Sequence, residues 1–427
     1  MTEAAPPRAT AVSSGLLGRH DPWWSRRGLE VIDGRLSIAG RDAEGLGREH
    51  GTPLFVYDRR RFTENATRLA AALDRAGLRH RLRFALKANP DPEALIALRG
   101  LVGIDACSPG EVLRALECGW APEEISYTGT NVSERDLDVI LAHPIHLNLD
   151  AVSQIERVGR RVAAQGNAAG GRRAIGIRIN PGAGVGYNDL LAYSGARPTK
   201  FGIYEDRLDE ALEVAGRYGL TIDTIHVHAG SGWLAPGIGA LEAAVRLVAV
   251  IAERLRREGH PIEEINVGGG LGVPARADEE AVEPDAYAAA IRRALGSLAD
   301  DVAVGCEPGD WIAKDTGILL GEVVTVEERA GTTFVGLDLG WNINCSYFIY
   351  RYAQEFVLCR DAPAQRPMRA TIAGHINEAG DVFAENYPLP PVVEGDVLAL
   401  LNAGGYHQAM SSTHCLRPHA PALYLDR

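Results

Sequence analysis

From Leu54 to about Cys306 the chain alternates short β-branched runs with longer amphipathic stretches, and this alternation constrains the fold more than any other feature. Eight runs read as strands: "LRFALK" from Leu82, "VGIDA" from Val102, "ISYTG" from Ile125, "IHLNLD" from Ile145, "AIGIRI" from Ala174, "IDTIHVH" from Ile222, "EINVG" from Glu264 and "VAVGC" from Val302. Seven helical patterns separate them, "EDRLDEALEVAGRYGL" and "GALEAAVRLVAVIAERLRREG" among them. Parallel strands need crossover connections, and these spacings suit helical ones. The count predicts a closed (β/α)8 barrel of the TIM type, with a doubly wound open sheet as the alternative.

After Cys306 the texture changes. "GILLGEVVTVEERAGTTFVGLDLG" alternates about a turn at Ala330-Gly331, and "RPMRATIAGH" and "GDVLALLNAGGY" follow between loop signals. This pattern predicts a C-terminal antiparallel β domain. The N-terminal "LEVIDGRLSIAG" reads as a hairpin about Asp33-Gly34 that joins the same sheet. At 427 residues the chain is too long for one ordinary core. The expected division is an N-terminal segment over 1–52, partly joining the β domain; a barrel over 53–305; and a β-sandwich or barrel-like domain over 306–427.

A formal net charge of −12 argues against nucleic acid or an anionic membrane as partner. The six cysteines, Cys107, Cys118, Cys306, Cys345, Cys359 and Cys415, form no C-x-x-C pair. That pattern predicts a reducing, cytoplasmic setting without a zinc or disulfide framework. The opening "MTEAAPPRATAVSSGLLGRHDPWW" lacks a signal-peptide core, and about the first twenty residues read as a flexible lead-in. No segment is expected to reach the roughly 18 apolar residues of a membrane span.

In a barrel of this type, chemistry gathers at the C-terminal ends of the strands. Those ends bring Lys87, then Asp105 to Ser108, Thr128-Gly129, Asn148 with Asp150, and Arg178 with Asn180. His228 precedes "AGSG", Gly268 precedes "GGLG", and Glu307 precedes "PGD". The glycine loops can present backbone N–H groups to an anion, but their late position fits a dinucleotide fingerprint poorly. His226 and His228 point the same way on a strand, as zinc ligands can. No third ligand follows from spacing, so no metal is expected and His226 reads as a hydrogen-bonded neighbour. A lysine among apolar residues has its amine favoured over its ammonium and becomes a nucleophile toward an aldehyde. An amine, an anion cradle, a flat group for a ring and a carboxylate for a ring nitrogen together match pyridoxal 5′-phosphate.

The stretches "FALKAN", "NPG…TKFGI", "HVHAGSG", "NVGGGLG", "CEPG" and "NAGGY…SS" occur in this order from residue 50 nearly to the end. In them the chain resembles the fold-type III pyridoxal-phosphate decarboxylases, with their alanine racemase-like barrel. Within that group it is most like diaminopimelate decarboxylase and its ornithine and arginine relatives. The resemblance implies that Lys87 forms an aldimine with the cofactor, that His228 stacks on its ring, and that Ser231 with Gly268, Gly269 and Gly270 binds its phosphate. It further implies Glu307 at the pyridine nitrogen, Arg178 close by, Tyr406 reaching the phosphate, and a homodimer with two shared active sites.

The chain departs from that pattern at the substrate end. Asp310 stands where the family's "EPGR" has arginine, and it would attract a cation or turn away to pair with Lys314. Asn377 replaces the cysteine of the family's cysteine-glutamate-serine run, and an amide donates no proton at a useful pKa. The arginine and tyrosine that hold the distal end of diaminopimelate align with Ser346 and Tyr350. Cys415 is then the substitute proton donor, with His407 and His414 as alternatives, and Glu378 would fix a distal polar group. These departures predict a specialised amino acid, free or linked to a carrier protein, in place of diaminopimelate. The expected reaction is loss of CO2 from the amino acid, giving an amine. A racemase or epimerase on the same scaffold and a non-catalytic cofactor-binding homologue are the alternatives.

Overall fold

A computed structural model describes residues 22–164, 174–186 and 197–427; the expected N-terminal lead-in lies almost wholly outside them. Eight strands close into a parallel barrel: His80–Ala85, Gly103–Ala106, Ile125–Tyr127, His146–Leu149, Ala174–Ile179, Thr221–Val227, Glu264–Asn266 and Ala303–Cys306. Each coincides with one of the eight runs read from sequence. The last strand pairs with the first in parallel, Val304 opposite His80 and Cys306 opposite Leu82, which closes the ring. Helices pack outside, and their starts carry local caps. Ser108 Oγ accepts from Glu111 N, and Ser133 and Asp136 form a reciprocal capping box.

Buried polar groups inside the barrel find each other. Arg83 on the first strand grips Glu264 on the seventh through two hydrogen bonds of 2.5 and 2.9 Å, and both side chains are buried. Asn148 donates to Ser126 Oγ and Thr128 Oγ1, each at 3.0 Å. Such pairing is what permits charge and amide groups in an interior of Ile, Val and Leu.

The second layer is an eight-stranded sheet. Its path runs Phe356–Leu358, Val397–Leu400, Gly317–Arg329, Thr332–Leu337, Met368–Ala373 and Val382–Leu389. Leu54–Asp58 and Ala422–Leu425 complete it beside Gly317–Leu320. Three sequence expectations change here. The sheet is mixed rather than antiparallel, since Thr332–Leu337 pairs with Met368–Ala373, and Ala422–Leu425 with Leu54–Asp58, in parallel. Leu54–Asp58, read as part of the barrel unit, is hydrogen-bonded into this sheet. All five of its residues are buried, so its pattern carries no face to tell one sheet from another. The hairpin Leu29–Ile38 does not join the sheet by hydrogen bonds but forms a three-stranded sheet with Arg41–Asp42. Its Leu29, Leu36 and Ile38 pack on Val56, Ile318, Leu320 and Ala399, which ties it to the large sheet through apolar burial.

One helix, Ala235–Arg257, has the length and hydropathy of a membrane span, contrary to expectation. Leu241, Val245, Val248, Ala252 and Leu255 form its buried face, and they join the core that barrel and sheet share. The last barrel strand passes into the sheet through Glu307-Pro308-Gly309, the short helix Asp310–Ala313 and the turn Lys314–Thr316. This corner sets barrel and sheet residues around one cavity.

Candidate active site

Lys87 sits on a 3-10 turn, Leu86–Ala88, just past the end of the first barrel strand. Two contacts from the sheet side fix that turn: Asn89 Nδ2 donates to Gly404 O at 3.1 Å, and Tyr406 N donates to Ala88 O at 2.8 Å. Asp91 caps the helix that follows, with Pro92 in its first turn, so the chain leaves the site at once. The Lys87 side chain reaches into a cavity lined also by Asp105, Cys107, Arg178, His226, His228, Ser231, Glu307, Asp310, Lys314, Tyr350, Tyr352 and Tyr406.

Apolar neighbours were expected around this amine, but Lys87 is exposed, and the Asp105 and Glu111 carboxyls lie within its electrostatic reach. Burial, then the Glu307 charge, raise the Asp105 carboxyl well above its usual value, while Lys87 opposes the rise. Cys107 N donates to Glu111 Oε2 at 2.7 Å, and burial pushes the Cys107 thiol up to about 12. The thiol is therefore protonated at neutral pH.

Opposite lies a buried acid–imidazole–amide cluster. Glu307 Oε2 accepts from His226 Nε2 at 3.1 Å, and Oε1 accepts from Asn266 Nδ2 at 2.6 Å. Burial alone would raise this carboxyl. The charge and hydrogen bond of His226, with Arg83 and Asn266, instead hold it down at about 2. His226 is thus the hydrogen-bonded neighbour expected from "HVH". Two residues on, His228 faces the cavity, and burial, then Arg178 and Lys87, push its pKa well below the ordinary value. Its imidazole is neutral at pH 7. Arg178, at the end of the fifth strand, lays its guanidinium 4.7 Å from the centre of the Phe201 ring. Asn180 orders the loop carrying Phe201, donating to Thr199 Oγ1 at 3.1 Å and to Phe201 O at 2.6 Å.

Pyridoxal phosphate fits this set on the geometry of the glycine loop. Gly268 has φ +71, and a Cβ there would press on Val227 O and the His228 ring; one on Gly269 would strike Glu307 O. Gly269 and Gly270 line the cavity beside Ser231, so backbone meets the cavity there, whereas the Gly268 amide expected on the phosphate is already engaged, donating to Asn266 Oδ1 at 2.9 Å. Trp233 Nε1, buried at the same loop, has no hydrogen-bond partner among the described residues.

The sheet side closes the cavity with Tyr350 and Tyr406, packed edge to face at 6.0 Å. Asp310 and Lys314 do pair, at 3.9 Å, but not on the surface; both side chains are buried in the cavity wall. Three predicted residues lie elsewhere. Asn377, Glu378 and Cys415 are exposed on the sheet domain, where Glu378 Oε1 meets His414 Nε2 at 2.9 Å and Trp341 stacks on His414. They do not line this cavity within one chain. His407 is buried behind Tyr352, and Ser346 bonds the same tyrosine at 2.9 Å. Sequence reasoning assigned no site role to Asn266 or Phe201, placed Cys107 at a strand end without a function, and gave Lys314 only as a partner for Asp310. The signal for Asn266 was available, because it precedes the glycine loop by one strand step, as His226 precedes His228.

Residues 59–314 match the family described as pyridoxal-dependent decarboxylase, pyridoxal binding domain. The chain therefore belongs to the pyridoxal-dependent decarboxylases, and it is an amino-acid decarboxylase that uses pyridoxal phosphate. Within that class it is similar to diaminopimelate decarboxylases along almost its whole length. The enzyme of Methanothermobacter thermautotrophicus is 36% identical over 411 residues, spanning 93% of this chain and 92% of the relative. That of Zymomonas mobilis is 32% identical, spanning 91% of each. Among solved structures, diaminopimelate decarboxylase from M. jannaschii in complex with L-lysine superposes with TM-score 0.84 at 26% identity, covering 93% of both chains. The Helicobacter pylori enzyme with L-lysine gives 0.81 at 28%, covering 90% of this chain and 93% of the other.

Proposed function

We propose that Lys87 Nζ is the amine that holds the cofactor, and that this cavity removes the α-carboxylate of an amino acid. The single observation carrying this assignment is the convergence on one cavity of Lys87, His228 and an ionised Glu307 beside a side-chain-free glycine loop. Bound pyridoxal phosphate supplies an electron sink for the charge left at Cα.

The protein's own residues do the rest. Ser231 and the N–H groups of Gly269 and Gly270 would bind the phosphate, with Tyr406 closing from the sheet, while Gly268 N–H is kept by Asn266 Oδ1. Glu307 would keep a proton on the ring nitrogen. His226 and Asn266 hold both carboxylate oxygens, so Glu307 stays anionic and oriented. The neutral His228 would give the ring a flat neighbour without adding a cation against that proton. Arg178 would sit beside the cofactor, and Lys87, once displaced by substrate, would hold or move a proton at Nζ.

For proton delivery at Cα we assign Cys415, contributed by a second copy in a homodimer. Its support is placement: Cys415, the Glu378–His414 pair and a 94% exposed Leu416 lie together on one face outside the cavity. Asn377 and Glu378 would then meet the neighbouring copy's substrate. A cytoplasmic enzyme is the reading that suits the cysteines, none of which forms a disulfide among the described residues. The relatives' names favour diaminopimelate; Asp310 pairs with Lys314 and Ser346 bonds Tyr352, and a carrier-linked substrate rests on the sequence departures alone. Purified holoenzyme should release CO2 from diaminopimelate, ornithine, lysine, arginine or a carrier-linked acidic amino acid. Exchange of the Cα hydrogen in deuterated water with every carboxylate retained would instead identify an epimerase.

A further inference from the structure

Of the 44 lysines and arginines in this chain only three are lysines, at positions 87, 200 and 314. The surface and structural ion pairs are made by arginine, as at Arg59, Arg61, Arg161 and Arg254. A lysine kept inside the cavity wall therefore stands out. Lys314 is 2% exposed and lines the cavity, yet none of the steps assigned above uses it.

The ammonium is held in place from several sides. Its Nζ lies 4.0 Å from the centre of the Tyr352 ring and 3.9 Å from Asp310 Oδ2. Tyr352 is itself fixed. His407 Nδ1 lies 2.9 Å from Gly405 O, which only accepts, so Nδ1 carries the hydrogen. Burial brings the His407 pKa down to about 4, so its Nε2 is free of a proton and accepts from Tyr352 OH at 3.3 Å. Ser346 Oγ engages the same hydroxyl at 2.9 Å. The backbone is tied as well, with Gly404 N donating to Lys314 O at 2.9 Å. The outcome is a compact, preorganised cation on the sheet side of the cavity.

A buried cation fixed this way suits an anion. The glycine loop already offers a phosphate site. A cation on the departing carboxylate would stabilise the charged ground state more than the transition state, which slows its loss. The end of the substrate that does not react remains. We propose that Lys314 is a specificity residue: its ammonium, positioned by Asp310 and Tyr352, receives a carboxylate at the distal end of the amino acid substrate. This rests on the decarboxylase reading above and narrows its substrate to amino acids with a terminal carboxylate.

The test uses holoenzyme and two probe pairs, each differing by one distal carboxylate: meso-diaminopimelate against L-lysine, and L-2-aminoadipate against L-norleucine. Binding is followed through the cofactor's visible spectrum. The carboxylate-bearing member should bind about tenfold or more tightly, the weight of one charge-assisted hydrogen bond. Lys314→Met should abolish that preference, and Lys314→Arg should restore part of it. Equal binding within both pairs of the native protein overturns the proposal without any variant. So does a preference that survives Lys314→Met. Weaker cofactor uptake by Lys314→Met with the preference intact would assign the ammonium to phosphate, which also overturns it. A spectrum that responds to all four probes alike sinks this inference and leaves the decarboxylase reading standing; failure to take up the cofactor sinks both.

Discussion

A carboxyl buried in a protein interior would ordinarily take up a proton, and Glu307 is kept from doing so by three neighbours. His226, Arg83 and Asn266 outweigh the cost of burial. On the proposed assignment Glu307→Gln keeps shape and loses charge, so the cofactor remains while turnover falls about 100-fold or more, in the range of a lost acid–base partner. Cofactor absorbance and kcat on the same sample check this. The pH sign follows from the same shift. Folding lowers this group from 4.5 to about 2, so the linked stability is complete above pH 4.5 and is lost as pH falls toward 2. Acid titration followed by circular dichroism should show that loss in the native protein and a smaller one in Glu307→Gln. That Lys87, His228 and Glu307 meet at one cavity was legible because the strand ends of a parallel barrel open on one mouth. Lys314 was not, because Asp310 and Lys314, four apart, read equally well as a solvated helix pair until the corner between barrel and sheet is seen to bury both.

At the scale of elements, the barrel holds its first and seventh strands together through Arg83 and Glu264. Removing one charge strands the other in the interior. Glu264→Gln should therefore cost about 3–5 kcal/mol, as for other broken buried pairs, and lower Tm without touching the cavity wall. Thermal unfolding measures it, and a change under about 1 kcal/mol would mean the pair is solvated in practice. The eight barrel strands were readable because each is a short apolar run between loop signals. Leu54–Asp58 was misplaced for the opposite reason, since it is buried on both faces and its partners lie at least 260 residues away in sequence. The parallel pairings of the sheet were hidden likewise, because alternation reports a face and not a strand's direction.

At the scale of the whole molecule, one chain gathers the residues proposed to hold the cofactor but leaves Asn377, Glu378 and Cys415 exposed outside the cavity. Shared sites in a homodimer would reconcile the two. Mixing Lys87→Ala with Cys415→Ala protein, each inactive alone, should then restore about a quarter of native activity, since half the dimers would carry one intact site. No recovery on subunit exchange would place proton delivery within one chain. The central claim is more direct still: the cofactor is bonded to Lys87. Borohydride reduction of the holoenzyme followed by peptide mass mapping has only three lysines to choose among. The account predicts the cofactor's mass on the peptide bearing Lys87 and its loss in Lys87→Ala; the adduct on Lys200 or Lys314, or on no lysine, would contradict it.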